Sequence, residues 1–214
     1  GRTTAQAPAG NAVLRNTYRL LSMTLAFSAV TALGAAALNL PHPGLLLTLA
    51  GYFGLLFLTS YTRNSAWGLV SVFALTGFMG YTLGPILNAY LAGSGGSSIV
   101  ATALGTTAVA VLGLSAYART APVGCLPRFG SFLFVGLLTA FVLGLAAVFL
   151  NMPMLSLAVS GLFVLLMSGL IVYETQNIIS GGETNYIMAT VTLFVAIYNL
   201  FTSLLHLIGF MSDE

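Results

Sequence analysis

Glu174 is the residue on which chemistry in this sequence would turn, because it is the only carboxylate inside or against a long hydrophobic run. A charge at mid-helix in a bilayer costs about 2.5–3.5 kcal/mol on insertion scales, so ionisable residues there are functional candidates by default. Glu174 lies near the end of an apolar helical stretch. A break follows at Ser180-Gly181-Gly182-Glu183-Thr184-Asn185, and then a second apolar stretch.

At 100° per residue, Ser156 and Ser160 fall within about 40° of Glu174, with Asn177 about 60° to one side. On the following helix Thr192, Asn199, Thr202, Ser203 and His206 lie within about 60° of one direction, which Ala196 shares. Two polar stripes on consecutive antiparallel helices would face each other or a common interior. They read either as interhelical hydrogen bonding, worth roughly 0.6 kcal/mol per bond, or as a hydrated path.

Glu174 itself has two readings. It either sits near the membrane interface and reaches water, or it is enclosed by neighbouring helices. Enclosure disfavours the charged form, as does the negative end of its own helix dipole, and protonation would then act as a switch. Arg63 is the natural counter-ion.

Enzymatic chemistry has little to build on. His42 lies in a Pro-rich turn and His206 towards the far end of the last apolar run. There is no HExxH, no GxSxG and no pair of catalytic aspartates. Hydrolysis needs a nucleophile with its base, or a metal set. Cys125 is the single cysteine, so an internal disulfide and a cysteine-based metal site are both excluded. The expectation is a non-enzyme without cofactor or metal.

The elements that must hold these residues follow from composition. The chain is 58% hydrophobic and only 5% charged, with no lysine, where a soluble domain carries about 25% charged residues. A water-facing surface cannot be built from so few charges, and a net charge of +2 gives no reason to expect nucleic acid. The partner implied is the lipid bilayer. A span needs about 20 mainly apolar residues, and seven runs qualify: 18–40, 45–61, 67–91, 99–117, 131–150, 155–179 and 186–210. This predicts an all-α integral membrane protein, a seven-transmembrane helix bundle filling 18–210. Residues 1–17 would be a flexible tail, not a signal peptide, and 211–214 a short one at the other end.

Arginine placement predicts orientation. Arg2, Arg15 and Arg19 precede or open the first span, Arg63 lies between the second and third, and Arg119 and Arg128 between the fourth and fifth. All fall on the side of the N-terminus, so the positive-inside rule puts that end in the cytoplasm and Asp213-Glu214 outside. In the third span Thr76, Gly77, Gly80 and Gly84 share a face, and Gly80 to Gly84 has the GxxxG spacing that lets helices approach closely. Pro85 cannot donate to the preceding turn and should bend this helix. A tight crossing and a gating hinge are both open readings.

Several stretches resemble one family. They are Tyr173-Glu174-Thr175-Gln176-Asn177-Ile178-Ile179, Gly181-Gly182-Glu183-Thr184-Asn185-Tyr186, Leu193-Phe194 and Tyr198-Asn199-Leu200-Phe201, with Thr76-Gly77-Phe78 and Leu83-Gly84-Pro85 in the third span. Together they are similar to the Bax inhibitor-1 family. Leu14-Arg15-Asn16-Thr17-Tyr18 and the hydrophobic layout resemble its proteobacterial branch. The resemblance implies six helices around a central one and residence in a bacterial inner membrane.

It also implies two functions. The proteobacterial branch is associated with the membrane AAA protease FtsH, as substrate and modulator, which would grip the N-terminal tail (Arg2, Arg15). Other members act as pH-sensitive calcium or cation leaks in which two aspartates share a proton. Here Glu174 holds the first position and Ala196 the second, so the second carboxylate is lost.

Overall fold

The computed structural model describes residues 3–121 and 129–213, with side chains from residue 10 onward. Arg2, Cys125, Arg128, Glu214 and much of the connection expected between the fourth and fifth spans lie outside the described residues. Among the described residues there are seven helices: α1 (Thr3–Ala37), α2 (Leu45–Thr62), α3 (Trp67–Leu91), α4 (Gly96–Thr120), α5 (Phe129–Phe149), α6 (Pro153–Ile179) and α7 (Tyr186–Ser212). No strand occurs among the described residues. Each helix is long and apolar enough to cross a membrane. Their outward faces carry Leu46 at 81% exposure, Phe57 at 76% and Leu165 at 72%, side chains suited to lipid rather than water. This is an all-helical membrane protein.

The amino-terminal boundary differs from the sequence reading. The tail expected over 1–17 is helical from Thr3 and continuous with the first span. No glycine or proline interrupts the stretch from Asn11 to Leu33, Val13 and Leu14 are half-buried, and Thr17 is fully buried. Packing and propensity carry the helix upstream of the apolar run.

The helices end where the local chemistry ends them. Asn39 and Asn151 both adopt positive φ, 51° and 50°. After each, the next amide bonds a carbonyl five residues back: Leu40 N to Ala35 O, and Met152 N to Ala147 O, both 3.0 Å. This is the left-handed C-terminal cap that asparagine tolerates better than most residues. Pro153 then opens α6 at a first-turn position, where its missing N–H costs nothing.

Two compact units divide the chain. The first runs to Gly96 and returns with Gly181–Phe194; the second holds Ser97–Ser180 and the chain from Val195 on. In the first unit α3 packs against both α1 and α2. A Cβ on Gly80 would collide with Thr31 Oγ1 and the Ser28 carbonyl. One on Gly84 would sit 2.6 Å from Ala35 Cβ and 2.8 Å from the Ala32 carbonyl. Small residues on both helices therefore bring the backbones together, and α3 runs unbroken through Pro85. Asn88 Nδ2 closes the same seam by donating to Ala36 O at 2.8 Å.

In the second unit α5 and α6 run antiparallel: Gly130 faces Tyr173, Leu133 faces Gly169, Gly136 faces Leu166 and Gly144 faces Val159. Leu133, Ala140 and Leu166 form its core, with Leu137, Leu162 and Phe163 packed around them.

Candidate functional site

The last two turns of α6 are buried on nearly every side. Ile171, Thr175 and Ile178 are 0% exposed, Glu174 and Gln176 each 5%. The buried positions spread over more than one face of the helix, unlike the single stripe of an ordinary amphipathic helix. Of the two readings of Glu174, the structure has the enclosed one. Arg63, its expected counter-ion, is exposed. Asn177 is half-buried, and its carbonyl accepts a 3.1 Å bond from Ser180 Oγ at the helix end.

On α7 the polar stripe resolves into two kinds of residue. Thr192, Asn199 and Thr202 donate to carbonyls of their own helix, those of Met188 (3.1 Å), Val195 (2.8 Å) and Tyr198 (3.1 Å). Such back-bonding satisfies a hydroxyl or amide without a partner helix. His206 differs: its Nδ1 lies 2.7 Å from Ser160 Oγ, joining α6 to the later turns of α7. The stripes thus meet at this point. Ala196 is fully buried, so a methyl occupies the place where the resemblance put a second carboxylate.

The polar centre that sequence reasoning missed is Asn185. Its Oδ1 accepts from the amides of Ile187 (3.0 Å) and Met188 (3.1 Å), capping α7. Its Nδ2 donates to Arg63 O and Asn64 Oδ1, both at 3.1 Å. Its own amide donates to Glu183 Oε1 at 2.9 Å. One side chain therefore starts α7 and fastens it to the α2–α3 turn. The signal was available, since asparagine directly before an apolar helical run is a preferred N-cap. A little further along, Thr190 Oγ1 donates to the Tyr186 carbonyl of its own helix at 2.7 Å and also lies 3.3 Å from the Thr17 carbonyl, so α7 meets α1 there. Arg15 is exposed on α1.

Against this geometry the comparisons with known proteins are decisive on family. The family model described as inhibitor of apoptosis-promoting Bax1 matches residues 10–213. The chain belongs to this family. Within it, the Escherichia coli K12 protein named modulator of FtsH protease YccA is 52% identical over 202 residues, covering 94% of this chain and 91% of the relative. The same degree of likeness holds for an Escherichia coli O6:H1 protein named inner membrane protein YccA. An uncharacterized Pasteurella multocida protein is 53% identical over 188 residues, 87% of this chain and 84% of its own length. The seven apolar helices agree with a multi-span member of the Bax inhibitor family.

Proposed function

We propose that this Bax inhibitor family member is a non-enzymatic protein of a bacterial inner membrane that binds and restrains an FtsH-type membrane protease. The observation that carries the reading is 52% identity, over 94% of the chain, to a protein named as a modulator of that protease. Orientation supports it. With seven crossings, Arg15, Arg19, Arg63 and Arg119 fall on one side, and the positive-inside rule puts that side in the cytoplasm. The amino-terminal arm is then within reach of a cytoplasmic ATPase ring, and Asp213 lies in the periplasm.

The arm is the grip and the α1–α3 seam is the resistance. An ATPase pulling on residues 1–16 must first separate the backbones that Gly80 and Gly84 bring into contact. A client gripped but hard to extract occupies the protease and slows it. Co-purification from membranes tests this: removing residues 1–16 should abolish most protease association. Undiminished association of the truncated form would contradict engagement through the arm.

The enclosure of Glu174 favours a second reading, a pH-sensitive cation leak with this carboxyl as its titrating group. Liposomes containing the protein would then pass calcium in a pH-dependent manner, and Glu174→Gln would remove the pH dependence. Flux equal to that of empty liposomes would end this reading.

A further inference from the structure

α1 divides lengthwise into two faces. Thr17, Leu20, Leu21, Thr24, Ser28 and Ala32 are buried. Opposite them, Arg15 and Arg19 are accessible, as are Met23 (54%), Phe27 (41%), Val30 (65%) and Leu33 (66%). At 100° per residue these six side chains stay within about 60° of one line along the helix. Met23 to Leu33 rises roughly 15 Å, about the depth of one leaflet of a 30 Å hydrocarbon core. The two guanidiniums stand one turn apart at the end of this apolar ridge.

We propose that this face is a binding site for an anionic phospholipid, its phosphate held between Arg15 and Arg19 and one acyl chain laid along Met23, Phe27, Val30 and Leu33. Charge complementarity selects the occupant. Side chains four residues apart have Cβ atoms about 5–6 Å from each other, a spacing at which two guanidiniums can share one phosphate. Arginine binds phosphate through a rigid fork of donors rather than as a point charge. Glu183, the carboxylate that shares the first unit with α1, accepts the amide of Asn185 at 2.9 Å. The ridge is also held in shape. The Phe27 ring packs edge-on to Phe73, with centroids 5.6 Å apart, and rests over Gly77. A lipid docked here would pin the amino-terminal turns of α1 to the membrane surface.

The test uses full-length protein in phosphatidylcholine liposomes with spin-labelled phosphatidylglycerol or spin-labelled phosphatidylcholine as the probe. The wild type should immobilise the anionic probe preferentially. Arg15→Gln/Arg19→Gln should lower that preference about tenfold, while the charge-matched Arg63→Gln/Arg119→Gln should leave most of it. Equal losses in the two double variants would reduce the effect to bulk charge and overturn the site, as would no preference in the wild type. Displacement of the probe by millimolar inorganic phosphate would also overturn it, since the ligand would then be a free anion. Should the glutamine pair fail to fold, Arg15→Lys/Arg19→Lys keeps the charge and removes the forks. A clear drop in preference is then expected, and an unchanged one would contradict phosphate sharing.

Discussion

Glycine lines one helix seam in each unit, and the two seams work differently. At α1–α3, a Cβ on Gly80 or Gly84 would strike backbone atoms of the facing helix: the Ser28 carbonyl in one case, the Ala32 carbonyl and Ala36 nitrogen in the other. At α5–α6, a Cβ on Gly136 would meet the end of the Leu166 side chain at 2.8 Å, and one on Gly144 would stand 3.5 Å from Val159 Cγ1. A side-chain tip can rotate away, but a helix backbone cannot move without carrying the whole helix. Glycine therefore sets the interhelical distance in the first unit, whereas in the second it only leaves room for a neighbour's branch. Close backbone approach is how membrane helices associate when burial from water no longer drives them together.

This contrast orders the expected effects of substitution, read as thermal unfolding of purified protein in detergent. Gly80→Ala should be the most damaging, about 3 kcal/mol, at the upper end of overpacking costs, because the methyl has nowhere to go. Asn185→Ala comes next at about 2 kcal/mol. It loses a helix cap, typically worth about 1 kcal/mol, along with both bonds to the α2–α3 turn. Gly136→Ala should cost about 1 kcal/mol, since Leu166 can turn aside into a poorer rotamer. Gly144→Ala should be neutral or stabilising by up to about 0.5 kcal/mol, because the new contact is ordinary and alanine favours the helix. Equal losses at Gly80 and Gly144 would break the distinction. A Gly80→Ala loss without faster degradation by the protease would separate the seam's stability from its proposed role.

The order and number of the helices were legible because the apolar runs are long and loops containing Pro41, Gly95 or Asn151 interrupt them sharply. The start of α1 was not. Hydropathy reports where lipid begins, whereas the stretch from Thr3 to Thr17 is helical without being strongly apolar. The polar stripes were visible as spacing, but spacing does not say whether a hydroxyl bonds its own helix or another. Thr192 and Thr202 turned inward to their own carbonyls, while Ser160 reached His206. Asn185 was passed over because the break between α6 and α7 reads as punctuation, and its tie to Arg63 spans a separation of 122 residues. The burial of Glu174 depends on residues brought in from elsewhere in the fold, and no local pattern reveals that.

Co-reconstitution of the protein with an FtsH-type protease in liposomes, with cleavage of a soluble reporter substrate as the readout, goes straight to the proposed function. Adding the full chain should slow cleavage of the reporter, and the chain lacking residues 1–16 should slow it far less. Reporter cleavage unchanged at every ratio of the full chain to protease would contradict the account.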